Sequence, residues 1–249
     1  MKTTLLRFLN LGLVALVIYV PKALATDVSG TLSSDTTWEA SKSPYVVTGT
    51  VLVSSGVKLT LEAGVEVKFA SGKSLQVFGE LVAQGTSSSG ITFTSVQESK
   101  AAGDWGQIVF YDSSVDASYD GNGDYASGSI LEYCTVEYGS GVLLKLGNPF
   151  INQSTIRYHA SSGIKMDSWD TSNSGSTLKI TNNTVSNNTT TDSGGGVRIY
   201  GYGTVYVSDN TISNNISYGG GGIRVSGGGT KIISGNTIEN NKTGRYEDH

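Results

Sequence analysis

The chain has one cysteine, three prolines and two histidines in 249 residues, and only 15% of it is charged. A lone thiol, Cys134, excludes an intrachain disulfide framework, so hydrogen-bonded backbone and buried aliphatics must hold the fold. Of the two histidines, His249 is the last residue and His159 is expected to cap a strand end, which leaves little for a histidine-based centre. Long apolar runs are also missing, apart from Leu9 to Val20. That run follows Lys2 and Arg7 and leads to Ala23-Leu24-Ala25, a small-x-small site. This is the layout of a secretory signal, so residues 1–25 are expected to be removed and the protein to be extracellular, periplasmic or on the cell surface. No later segment is expected to span a membrane. Removal leaves 14 basic and 21 acidic residues, a net −7, which is unsuited to general nucleic-acid binding.

What is abundant is glycine, 33 residues of it, together with Val, Ile, Thr and Tyr. From Tyr45 onward short alternating runs (KLTL, EVKF, QIVF, TVEY, TIRY) follow one another with Gly, Asn and Ser between them. They read as many short strands and almost no helix. Spacing alone fits a sandwich or barrel as well. The internal repeat decides: GGGVRIYGYGTVYVSDNTISNN aligns with GGGIRVSGGGTKIISGNTIENN, and the phrases NTVSNN, NTISNN and NTIENN begin at Asn183, Asn210 and Asn236. Self-similarity at this period signals a solenoid whose repeats bury their faces by stacking.

The strand, glycine turn, strand, Asn, strand order of these units resembles the right-handed parallel β-helix family, the superfamily that includes the pectate lyases. The resemblance implies an all-β, three-sheet solenoid of about seven coils, with residues 26–44 as an N-terminal cap segment around Trp38, the helix over 45–241 and a polar tail over 242–249. No cap-like sequence follows Asn241, so a longer parent chain or end-to-end self-association is expected. In the family the Asn turn carries a stacked ladder, here expected as Cys134, Ser154, Asn183, Asn210 and Asn236. Behind it Val136, Ile156, Val185, Ile212 and Ile238 read as core, and so do Leu144, Ile164, Val197 and Ile223. Cys134 is then a buried ladder residue and no nucleophile.

Two long polar stretches, at residues 112–129 and 167–176, are expected to project as loops, where a repeat scaffold carries function. The main ligand-binding candidate is a column of cations, Lys145, Lys165, Arg198 and Arg224, at one position of successive strands. Stacked like charges repel unless an anion lies among them. Asp167, Asp192 or Asp209 could supply it, or an extended acidic polysaccharide could. Trp169, Tyr200 and Tyr202 stand nearby and suit sugar rings. Asp120, Asn122 and Asp124 place oxygens at alternate positions, as a Ca²⁺ loop does, although the later positions of such a loop are wrong here.

Pectate-lyase-like members use an acidic calcium cluster and a basic residue. Arg198 or Arg224 matches the base, but no acidic cluster on neighbouring turns matches the rest, and the catalytic residues stay unknown. The expected function is therefore a secreted scaffold binding an acidic polysaccharide or cell-surface glycan, with a polysaccharide lyase or glycoside hydrolase as the alternative. A column of threonines (Thr135, Thr155, Thr184, Thr211, Thr237) also faces outward. The neighbouring column Glu137, Arg157, Ser186, Ser213, Glu239 breaks the lattice that ice binding would need.

Overall fold

The computed structural model describes residues 24–168 and 175–244. The secretory-signal assignment falls on residues 1–25 and so lies almost wholly outside them, as do Trp169 and Asp170. Within the described residues every coil of chain contributes one strand to each of three faces. Alternation sets the facing: in Glu66–Phe69, Val67 and Phe69 are fully buried while Glu66 and Lys68 face solvent.

The second face is a parallel sheet of eight strands, from Thr36–Trp38 through Lys58–Leu61, Glu80–Gln84, Ile130–Glu132, Phe150–Asn152, Thr177–Thr181 and Thr204–Ser208 to Thr230–Ser234. The first and third faces are hydrogen-bonded into one 15-stranded sheet. They meet in the long strand Tyr45–Val53, whose residues 45–47 pair with Val67–Phe69 and whose residues 51–53 pair with Leu75–Val77. Seven full coils result, closed at the N-terminal end by Thr26–Leu32 and Thr36–Trp38, which pair with Tyr45–Val53 and Lys58–Leu61. The parallel pairing extends into residues 242–243, which pair with 216–217.

The core is a set of stacked aliphatic columns. Val136, Ile156, Val185, Ile212 and Ile238 are in register through five coils. All but the last are fully buried, and Ile238 is 51% exposed because no coil covers it among the described residues. Near the middle, the rings of Phe69 and Trp105 stack at 4.1 Å.

The Asn ladder forms as the turn chemistry requires. Each backbone N–H donates to the next coil's side chain: Cys134 to Ser154 Oγ (3.0 Å), Ser154 to Asn183 Oδ1, Asn183 to Asn210 Oδ1 and Asn210 to Asn236 Oδ1 (each 2.9 Å). The left-handed residue is the one before the ladder position: Tyr133, Gln153, Asn182 and Asp209 all have φ near +50° to +58°. A ladder Asn therefore needs no positive φ of its own.

Candidate functional site

The cation column is real for three members. Lys165 pairs with Arg198 and Arg198 with Arg224. Lys145 is not in it: the neighbour of Lys165 in the preceding coil is Leu143, and Lys145 lies two residues further on, paired with Tyr111 and 5.4 Å from that ring's centre. The core column shifts with it, since Ile164 pairs with Val142 and Leu144 with Met166. Val142, Leu143 and Leu144 are all apolar, so alternation cannot tell this register from one slipped by two residues.

Acids already lie among the cations. Asp192 bonds Arg198 and approaches Lys165 at 3.6 Å, and Asp167 lies 3.7 Å from Lys165. Partial burial pulls the Asp192 carboxyl upward, but the Ser193 N–H, Arg198 and Lys165 outweigh it and hold it below its ordinary value. Arg224 is exposed and has no ion-pair partner among the described residues. Tyr200 pairs with Asp167 and Ser226, and Tyr202 covers Gly228, where an added Cβ would lie 2.6 Å from the ring.

The Asp120–Asp124 stretch is the tip of a hairpin, with Ser118–Tyr119 antiparallel to Tyr125–Ser127. Asp120 Oδ1 accepts the N–H groups of Asn122 (2.9 Å) and Asp124 (3.0 Å), so it holds the turn. Asp116 is committed to Asn148, accepting its N–H at 2.7 Å and its Nδ2 at 3.0 Å, and burial pushes its carboxyl upward. No group of three or more His, Cys, Asp or Glu among the described residues could hold a metal ion.

The hairpin does not project; it lies on the second face. The Tyr125 ring stacks on Phe150 at 5.9 Å and the Tyr119 ring meets it edge-on at 5.8 Å. Lys179 Nζ stands 3.9 Å over the Tyr119 ring and donates to Gly123 O at 2.6 Å. Between hairpin and sheet is a cleft of about 480 Å³. Along its floor Gln84, Glu132, Asn152 and Thr181 form one outward column. Gln84 Nε2 donates to Glu132 Oε2 (2.9 Å), Asn152 Nδ2 to Glu132 Oε1 (2.6 Å), and Thr181 Oγ1 to Asn152 Oδ1 (2.9 Å). Asp124 and Asp209 stand at its sides. Sequence reasoning missed this site: Asp124 points to calcium and Asp209 to the cation column, with which it forms no ion pair among the described residues, and Gln84, Glu132 and Asn152 carry no signal except their shared place at the end of a second-face strand.

Two family models match the chain: a pectate-lyase-like β-helix domain over residues 30–145 and a right-handed β-helix region over residues 172–247. The chain belongs to the right-handed parallel β-helix family. No curated protein and no solved structure matches it.

The β-helix has a second ladder, which the sequence reading did not separate from the first. Gly139 N–H donates to His159 Nδ1 (3.1 Å), His159 N–H to Asn188 Oδ1 (3.1 Å), Asn188 to Asn215 Oδ1 (3.0 Å) and Asn215 to Asn241 Oδ1 (2.9 Å). Because Nδ1 accepts, Nε2 carries the proton and donates to Val136 O at 3.0 Å. Burial lowers the His159 pKa to about 4, so the ring is neutral and structural. Cys134 is fully shielded, donates to Ala83 O at 3.3 Å, and burial raises its pKa far above that of a reactive thiol.

Proposed function

We propose that this β-helix is a carbohydrate-binding scaffold that seats a glycan segment in the cleft between the hairpin and the second face. The column of Gln84, Glu132, Asn152 and Thr181 carries the reading. It repeats amide, carboxylate and hydroxyl groups at the strand spacing of about 4.8 Å, with donors and acceptors left over to meet the hydroxyls of a chain crossing the coils. The aromatic wall of Tyr125 and Phe150 gives the site a rigid apolar side. Titrating neutral and charged oligosaccharides into ¹⁵N-labelled protein tests it: shifts should concentrate at Gln84, Asn152, Asn182 and the hairpin, and an unchanged spectrum with every sugar would sink it.

A second reading, an extended acidic glycan on the first face, is favoured by one observation: Arg224, next to Arg198 in the column, is exposed and has no ion-pair partner among the described residues. Affinity electrophoresis in polygalacturonate or alginate should then retard the protein, and a Lys165→Ala, Arg198→Ala, Arg224→Ala variant should migrate freely. New unsaturated ends absorbing in the ultraviolet, on mixing with calcium and a polyuronate, would make it a lyase instead.

A further inference from the structure

The charge of the cleft says which glycan it would take. Asp124, Glu132 and Asp209 line it against a single cation, Lys179. None of the three carboxylates has an ion-pair partner among the described residues. Among the described residues Glu132 is held by the neutral amides of Gln84 and Asn152, which fix its oxygens without cancelling its charge. Asp209 is turned out on a left-handed corner, φ +58°, and its Oδ1 lies beside Gly235, where an added Cβ would come within 2.0 Å.

Lys179 supplies an independent observation. Its ammonium donates to the Gly123 carbonyl and lies over the Tyr119 face, so part of its capacity is used within the hairpin, and its one charge stands against three carboxylates. It also demonstrates what the hairpin wall stabilises: an ammonium group set between a carbonyl oxygen and an aromatic face. Tyr125, on the same hairpin, feels the field of these acids. Its hydroxyl is pushed up to about 12, first by burial and then by Glu80 and Glu132. With three carboxylates against one ammonium, the cleft disfavours a polyuronate or sulfated glycan.

We propose that the cleft binds a primary ammonium carried among hydroxyl groups, that is, an amino-sugar segment such as a glucosamine oligomer, with Glu132 and Asp209 receiving the ammonium. This rests on the glycan-binding reading of the cleft and gives it a ligand class. Charge-assisted bonds from ammonium to carboxylate are stronger than the neutral bonds available to an acetylated sugar.

Calorimetric titration with a glucosamine tetramer, its fully N-acetylated counterpart, a galacturonate tetramer and spermidine tests this. The glucosamine tetramer should bind at least tenfold more tightly than the acetylated one, and the galacturonate should not bind in the cleft. Glu132→Gln with Asp209→Asn, which keeps shape, removes both charges and leaves the Gln84 amide free to turn its oxygen toward the new NH2, should lose at least tenfold for the amino sugar and change little for the acetylated one, at a melting temperature within about 2 °C of the parent. Equal binding of acetylated and free tetramers would overturn the ammonium claim and leave the glycan reading standing. Silence of all three sugars would overturn both. If spermidine matched or exceeded the glucosamine tetramer, the cleft would be a polyamine site, and the sugar assignment would fall.

Discussion

Five of the six residues of NTISNN have distinct physical tasks. Asn210 accepts the buried N–H of Asn183 and donates Nδ2 to Ile180 O; Thr211 faces solvent; Ile212 fills the core; Asn214 takes φ +56°; Asn215 continues the second ladder. Removing Asn210 strands a buried N–H and a buried carbonyl. Asn210→Ala should therefore cost about 2–4 kcal/mol in urea denaturation, whereas Thr211→Ala, outward by its register, should stay within about 0.5 kcal/mol.

His159 occupies a ladder position that other coils give to Asn, and this makes one turn pH-sensitive. Its folded pKa of about 4 lies below the unfolded value near 6.5, so the unfolded chain takes up a proton that the folded one refuses. The stabilisation is complete above pH 6.5, falls as pH drops through that value toward 4, and is gone below, a loss of about 3 kcal/mol. His159→Asn, whose Oδ1 can accept from Gly139, should flatten the stability difference between pH 7 and pH 4 relative to the parent.

At the scale of elements, the strands were legible and one register was not. Alternation placed Val185, Ile212 and the NT columns correctly because polar and apolar residues there are well separated. It failed at Val142-Leu143-Leu144, where half-hidden Leu143 faces outward yet is only 9% exposed, and Lys145 was aligned with the wrong neighbours. The hairpin is the other case. Its sequence announces a polar turn, but where that turn folds back depends on Tyr119 and Tyr125 finding Phe150, a contact between residues with no shared repeat position. Replacing residues 118–127 by a two-glycine link should remove one wall and abolish ligand-induced shifts at Glu132, while far-ultraviolet dichroism keeps its β signature, because the coils stack without the hairpin.

At the scale of the whole molecule, stability is a sum over neighbouring coils. A core residue with coils on both sides counts for more than the same residue in the last described coil. Ile156→Ala should cost about 2–5 kcal/mol in chemical denaturation and Ile238→Ala less than about 1 kcal/mol, given their 0% and 51% exposures. Equal costs would mean that another coil or chain covers Ile238 in solution.

The sequence by itself determined the solenoid, its seven coils, the first ladder and the core column of Val136, Ile156, Val185, Ile212 and Ile238, because each is written several times over and stacking brings like positions together. Only the tertiary structure decided how the charges group. Asp192 reaches Lys165 and Arg198 from a turn, and Asp124, Glu132 and Asp209 converge from a hairpin, a strand end and a corner in two different coils. Those distances depend on how unique loops fold against a periodic wall, and no repeat in the sequence encodes them.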